Sequence, residues 1–475
     1  MNDISSQNTA QNQLTGQTRF AHILASTFSS QIMFVQRLGW HYYDGRRWTA
    51  EGGIGDRKAR QLLDKVLKFH WNKLADIVDS EVRKAETRKL EAVMSSFGRR
   101  GTLEIAEHQP ELNVLASELD ADPYILNVAN GTLDLHTMEL RPHNPMDRLT
   151  KVAVGAYEPD NTSTEWLDFL TRILPDPEVR AFLQRFIGYS LLGTVVEHIF
   201  AIAHGSGQNG KSTFTETVTN ALGDYAQPAP TSLFMRGHYG PAAGQATPDV
   251  VKLRGVRLAV AAESDRAIPL AEAEVKNITG GNTITARALH KDPITFEPSH
   301  TILMETNYLP KITGRDEGIW RRITAIPFTE YIPPEERDPE LKSNLMLQSS
   351  AILTWAIEGY NSYKEIGLAA PEAVQLYTNN YRTNSDSVTR FVMDMCTRKR
   401  DEQVLISALF TSYKSWCHNE EQDALPQREL LDILVSTFGC ELKTVKGYRY
   451  IRHVTLDLGK AESDEILEEV TDHKE

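Results

Sequence analysis

The period of the apolar positions changes several times along this chain, and each change marks a candidate element. From Arg19 to Phe34 apolar and polar residues recur at helical spacing, which predicts a helix behind a polar leader rich in Asn, Gln, Ser and Thr. Leu38 to Trp48 carries aromatic residues on both sides of Asp44-Gly45, the pattern of a β-hairpin. Residues 56–98 return to helical spacing with many charges. Pro123 to Leu135 reads as a second hairpin turning at Asn130-Gly131. Asp160 to Thr164 is linker-like, and Glu165 to Leu192 is helical. From His198 to about Phe328 short apolar runs alternate with helices, as in an α/β layer on a parallel sheet. Pro333-Pro334 ends that layer, and 337–382 is helical. Two or three helices then precede a β-like pair, Glu441–Val445 and Tyr448–Thr455, around Lys446-Gly447, an order that suggests a winged helix.

Composition narrows the class. A chain of 475 residues has room for roughly three domains. Its 41% hydrophobic and 24% charged residues are those of an ordinary globular protein, which excludes a wholly disordered or collagen-like chain. No run approaches the roughly 20 apolar residues of a membrane span, and the leader lacks a basic, then apolar, secretory pattern. The expectation is a cytoplasmic protein in a bacterial host, with no membrane partner. Cys396, Cys417 and Cys440 show no C-x-x-C spacing, which argues against a disulfide framework or structural zinc and suits a reducing compartment. The net charge of −13 by itself argues against nonspecific nucleic-acid binding.

The sharpest local signal is Gly205-Ser206-Gly207-Gln208-Asn209-Gly210-Lys211-Ser212, a complete G-x-x-x-x-G-K-[ST] phosphate loop. Its context fits: Ile199 to Ala203 is a strand-like run, and Thr213 opens a helix that reaches Leu222. Glycines let backbone N–H groups turn onto phosphates, and the helix N-terminus adds partial positive charge. Lys211 can reach the β- and γ-phosphates of ATP, and the Ser212 hydroxyl can ligate Mg²⁺. A second apolar run, Val256 to Ala262, ends in Glu263, an acid suited to polarise the attacking water and to help hold the metal. Asp265 is a weaker candidate for the metal's outer shell. A third run, Thr301 to Thr306, ends in Asn307, an amide able to orient the attacking water. Arg321 and Arg322, beside Trp320, are either a surface pair or an arginine finger into a neighbouring subunit, worth about 10³–10⁵ in rate.

These motifs stand in one order, and the chain resembles superfamily 3 helicases of the phage/plasmid and poxvirus primase-helicase type. The phosphate loop, the Lys276-Asn277-Ile278-Thr279-Gly280-Gly281 to Arg287 segment, Glu305-Thr306-Asn307 and Gly318-Ile319-Trp320-Arg321-Arg322 carry the resemblance, which covers roughly residues 40 to 455. It implies an AAA+-like motor, a hexameric ring moving on single-stranded or forked DNA. In that reading Lys211 and Ser212 bind ATP and Mg²⁺, Glu263 is the acid, Asn307 the sensor, and Arg322, with Arg321 as understudy, the finger in trans. A pore turn at Leu289 to Pro293 would grip DNA through His290 and Lys291. Two departures stand out. Ala262 replaces an acid common in relatives, and only about 160 residues precede the motor, short of a primase-polymerase domain, so a separate primase or polymerase is an expected partner. Asp120-Ala121-Asp122 is read as a loop. The resulting division is leader 1–18, α+β domain 19–160, ATPase core 165–330, helical segment 331–384, winged-helix-like domain 385–460 and acidic tail 461–475. The alternatives are an ATPase that loads or switches without unwinding, and a primase.

That division reinterprets the charge. The last fifteen residues hold seven acids and one base, −6 of the −13, whereas Lys276 to Arg322 holds seven bases and five acids, or +2. A ring needs positive charge only along its channel, so the expectation is weak, strongly salt-dependent DNA binding while the ring is open.

Overall fold

The computed structural model describes residues 14–236, 247–262, 269–289, 292–312, 316–420 and 424–457. At its centre is a five-stranded parallel sheet ordered Ile323–Pro327, Phe200–His204, Thr301–Thr306, Leu258–Ala262 and Ala226–Pro228. Counted along the chain, this order is 5-1-4-3-2. Parallel strands are joined by crossovers that cover both faces, so the strands read as continuous apolar runs. Side chains alternate between two cores, as a period of two requires. Ala201, Ala203 and Leu303 face Trp166, Phe214, Phe328 and Trp355 on one side. Phe200, Ile202, Ile302 and Met304 face Phe234, Ile319, Trp320 and Tyr381 on the other.

The helical run predicted from Glu165 to Leu192 is two helices, Thr164–Ile173 and Pro177–Tyr189. Pro175-Asp176-Pro177 breaks it: Asp176 caps the second helix by accepting from Glu178 N at 2.8 Å, and Pro177 fills its first turn. Ser163 caps the first through Trp166 N at 3.0 Å. Trp166 then stacks on Phe214, centroids 5.8 Å apart, and meets Trp355 edge-on at 5.4 Å. Helix Ser349–Ile366 carries Trp355 and closes this face.

The N-terminal layer differs from its expectation at one place. The helix spans Gly16–Phe28 and stops there, because Ile32-Met33-Phe34-Val35 is a β-rich run that pairs antiparallel with Gly39–Tyr43 and parallel with Asn113–Val114. Tyr42 and Tyr43 pair with Thr49 and Trp48 across Asp44-Gly45. Helices Ile54–Lys73, Ser80–Met94 and Ser96–Ala106 bury Leu62, Leu63, Leu67, Leu90 and Leu103 over this sheet.

The second hairpin pairs Val128 with Gly131, so its turn is Ala129-Asn130 and Gly131 belongs to the returning strand. Its Leu126, Val128 and Leu133 share a core with the central sheet rather than with the N-terminal layer. Buried Asn127 ties the join: its Nδ2 donates to the carbonyls of Arg46 and Lys151, both at 2.9 Å, and its N–H donates to the Tyr225 hydroxyl at 3.0 Å. Packing thus puts the hairpin with the sheet, inside the span 19–160 assigned to the first domain.

At the C-terminal end, Ser387–Met395, Ile406–Asn419 and Gln427–Phe438 precede the hairpin Glu441–Val445 and Tyr448–Arg452. A short strand, Gln403–Leu405, adds to the far side of Tyr448–Arg452, and Cys396–Thr397 pairs with Thr455–Leu456. Both pairings escaped the sequence reading because two- and three-residue strands leave no periodicity. The three cysteines are buried free thiols. Among the described residues no helix is long and apolar enough to cross a membrane.

One buried group makes a pH prediction. His300, directly before the third run, is 2% exposed, and burial, opposed by the Ile278 backbone, pushes its pKa down to about 4. The unfolded chain, titrating near 6.5, binds the extra proton first. The stabilisation is therefore complete above about pH 6.5 and is lost as pH falls towards 4, on the order of 3 kcal/mol in all. Urea midpoints at pH 7.5 and 5 are expected to differ less in His300→Leu than in wild type. Equal pH slopes would contradict this assignment.

Candidate nucleotide site

The phosphate loop leaves the buried strand Phe200–His204 and runs straight into helix Lys211–Leu222. It turns with Gly207 at φ 94°, Gln208 at φ 55° and Gly210 at φ 81°, a succession that points backbone N–H groups inward. A Cβ at Gly210 would be strained by that φ and would also collide with Ile173. Gly205 lies so close to the Phe328 carbonyl that any side chain there overlaps it. The chain leaving the sheet's edge strand straps the loop down. Asn209 Nδ2 donates to Phe328 O at 3.0 Å, Ile332 N donates to Gln208 O at 2.8 Å, and Arg337 pairs with the Gln208 side chain.

Lys211 is 4% exposed, and a buried ammonium must be fully hydrogen-bonded. Its Nζ donates to Gly205 O at 2.8 Å, Asn307 Oδ1 at 3.0 Å and Asn209 Oδ1 at 3.1 Å. All three acceptors are neutral, so a phosphate oxygen is the stronger partner. Asn307 therefore sits at the phosphate end of the loop, one strand away from it. Ser212 Oγ donates to Glu305 Oε1 at 2.8 Å, and Thr215 Oγ1 hydrogen-bonds the other Glu305 oxygen. The hydroxyl–carboxylate set of Ser212 and Glu305 suits a hard cation such as Mg²⁺, which prefers oxygen ligands. A cleft of about 330 Å³ opens here, lined by Gly207 to Thr213 and by Glu305 to Asn307.

Beside it lies a larger cavity of about 700 Å³. Phe169, Ile332 and Leu341 give it an apolar floor, with Asp168 and Arg337 at its rim and Gln208, Gly210 and Thr213 shared with the loop. An apolar cleft with a few polar groups next to a phosphate cradle has the dimensions and chemistry of a nucleoside pocket.

The other candidates fall as follows. Glu263 and Asp265 lie outside the described residues, as do His290 and Lys291. Ala262 ends its strand in direct register with Glu305. The segment around the expected pore turn is an antiparallel pair, Ile284–Ala286 with Ile294–Phe296, and Leu289 near its tip is 65% exposed. Arg321 is exposed, whereas Arg322 is 7% exposed and its Nη1 donates to Gly318 O at 2.6 Å. Burial, then the neighbouring Arg321 charge, lowers the Arg322 pKa. Arg321 is thus the exposed member of the pair, and Arg322 is tied to its own chain. Asp120 closes a loop by accepting from Thr150 N at 2.7 Å and Thr150 Oγ1 at 2.5 Å, and Asp122 accepts from Tyr124 N at 2.9 Å. Glu305 is the residue the sequence reading passed over. It stands inside the Glu305-Thr306-Asn307 motif, and its spacing of two from Asn307 points both to one side of the extended chain.

Comparison with known proteins gives two family matches. Residues 21–175 match the family described as "D5 N terminal like", and residues 203–322 match a family of unknown function, DUF5906. A protein of Acanthamoeba polyphaga mimivirus named as a candidate helicase, L207/L206, is 29% identical over 439 residues, covering 83% of this chain and 45% of that protein. A candidate primase of African swine fever virus, C962R, is 22% identical, covering 76% and 40%. A candidate helicase of Invertebrate iridescent virus 3, 121R, is 21% identical, covering 93% and 54%. The chain thus spans about half the length of the curated relatives it matches. Among solved structures, the C-terminal region of NrS-1 aligns over 93% of this chain and 100% of that one at 8% identity and a TM-score of 0.47. The D5 N-terminal-like segment, the viral relatives and the order of the motifs together support a likeness of this chain to the D5-type superfamily 3 helicases.

Proposed function

We propose that this protein is an ATP-driven, ring-forming DNA helicase that serves replication of a phage or mobile element by coupling hydrolysis to translocation and unwinding. The observation that carries the reading is the Lys211–Asn307 bridge at 3.0 Å, in which the strand beside the phosphate loop presents its terminal amide to the loop's cation. The reading of an AAA+-like core is supported by the 5-1-4-3-2 strand order, and that of a winged helix by three helices with a three-stranded sheet at the C-terminal end.

Each residue then has a role. Loop N–H groups and Lys211 bind the ATP phosphates, and Asn307 orients the attacking water while Glu263 polarises it. Ser212 would help to hold Mg²⁺, which would supply charge neutralisation at the phosphates. Arg321 is the candidate finger into the neighbouring site. His290 and Lys291 are the candidate DNA grips, as a point charge and an imidazole move along phosphates without reading bases. The base and ribose occupy the cavity over Phe169, Ile332 and Leu341. Leu341→Trp, which fills that cavity, is expected to weaken ATP binding about tenfold, or about 1.4 kcal/mol, and to leave DNA affinity unchanged. Unaltered ATP affinity would put the base elsewhere.

The reading is tested by imaging the protein with a nonhydrolysable ATP analogue and forked DNA. A closed ring around DNA is expected, and persistent monomers would contradict it. The double change His290→Ala, Lys291→Ala separates helicase from switch: a helicase loses unwinding and keeps basal hydrolysis, whereas a loader or switch keeps its function.

A further inference from the structure

We infer that Glu305 is the carboxylate of the divalent-cation site, standing in for the acid missing at Ala262. This rests on the reading of the phosphate loop as an ATP site. Three observations converge on it. The first is register: Glu305 is the direct partner of Ala262 on one side and of Ala203 on the other. A carboxylate at 305 is therefore displaced by one strand from position 262, towards the phosphate loop. A methyl group at 262 cannot ligate, and the strand that carries Glu305 lies between the two.

The second is the company it keeps. Both carboxylate oxygens are engaged by hydroxyls of the loop's own helix: Ser212 Oγ at 2.8 Å on Oε1, and Thr215 on Oε2. Among the described residues no lysine or arginine forms an ion pair with it. A negative charge held by two neutral donors, beside the site where further phosphate charges arrive, calls for a cation. The third is the cleft itself. Of the described residues that line it, Glu305 is the carboxylate, and Ser212 and Lys211 line it with Glu305. Ser212 Oγ and Glu305 Oε1 are already in contact, so both offer lone pairs to one point in the cleft.

The arrangement also links the cation to the sensor. Glu305 and Asn307 are two residues apart and reach Ser212 and Lys211 respectively. A shift of this one strand end would move the metal carboxylate and the sensor amide together.

The test is binding of a fluorescent ATP analogue to the full chain, in Mg²⁺ and in EDTA, together with Mn²⁺ affinity by paramagnetic resonance in the presence of the analogue. Wild type is expected to bind the analogue more tightly in Mg²⁺. Glu305→Gln is expected to keep the EDTA affinity, lose most of the Mg²⁺ gain and weaken Mn²⁺ about 10–100-fold. Glu216→Gln, whose carboxylate pairs with Lys342 outside the cleft, is expected to keep the Mg²⁺ gain. Ala262→Asp added to Glu305→Gln is expected to restore it, a rescue that a merely structural role for Glu305 would not give. A full Mg²⁺ gain in Glu305→Gln overturns the inference, and so does a variant that no longer binds in EDTA, since the carboxylate then only braces the loop. Wild type that binds no analogue under either condition removes the ATP-site reading itself, which is a different result.

Discussion

Lys211→Ala is expected to reduce ATP hydrolysis by about 10²–10³-fold or more. Lys211 is the only cation lining the cleft of the loop among its described residues. Gly205 O, Asn209 Oδ1 and Asn307 Oδ1 hold its Nζ at the mouth of the loop, where a phosphate oxygen is a stronger partner than any of the three. Alanine has a second consequence. It removes one donor from Gly205 O, which keeps the Gly207 N–H at 2.8 Å, and from the amide oxygens of Asn209 and Asn307, so the loop loses a brace as well as a charge. Hydrolysis must therefore be read beside circular dichroism and a urea midpoint. Lost turnover in a folded variant supports the assignment. Turnover near the wild-type rate would remove the phosphate loop from the mechanism.

The second large effect is expected at Arg321. If its exposed guanidinium completes a neighbouring site, Arg321→Ala should lower turnover by about 10³-fold while nucleotide affinity stays close to wild type. Arg322→Ala should act differently. Its side chain is buried on Gly318 O, so the change should first lower stability. Mixing separates cis from trans. A Lys211→Ala subunit keeps its finger, and an Arg321→Ala subunit keeps its loop. A mixture should therefore recover hydrolysis that neither variant shows alone. No recovery would place the arginine in its own subunit's site, and an active Arg321→Ala would dismiss the finger.

How far the chain could be read in advance follows from what each feature leaves in the sequence. The phosphate loop and the strands around it were legible because buried parallel strands read as unbroken apolar runs and the loop's glycines are fixed by its shape. The lengths of the N-terminal elements were less legible. Ile32 to Val35 continues the apolar spacing of the helix before it, and only the partner strand at Gly39–Tyr43 turns it into a strand. Glu305 was hidden for another reason. A lone glutamate at a strand end looks like any exposed acid until the helix across from it supplies Ser212 and Thr215. The contrast between Arg321 and Arg322 was also invisible, because adjacent arginines differ only in which one the fold buries.

The central claim is that ATP hydrolysis at this loop drives movement on DNA. It is tested most directly by measuring hydrolysis and strand separation together, with and without a forked duplex. The account predicts that forked DNA stimulates hydrolysis by the wild-type chain, that the strands separate only when ATP is hydrolysed, and that Lys211→Ala abolishes both. Hydrolysis indifferent to DNA, with the fork left intact, would contradict it.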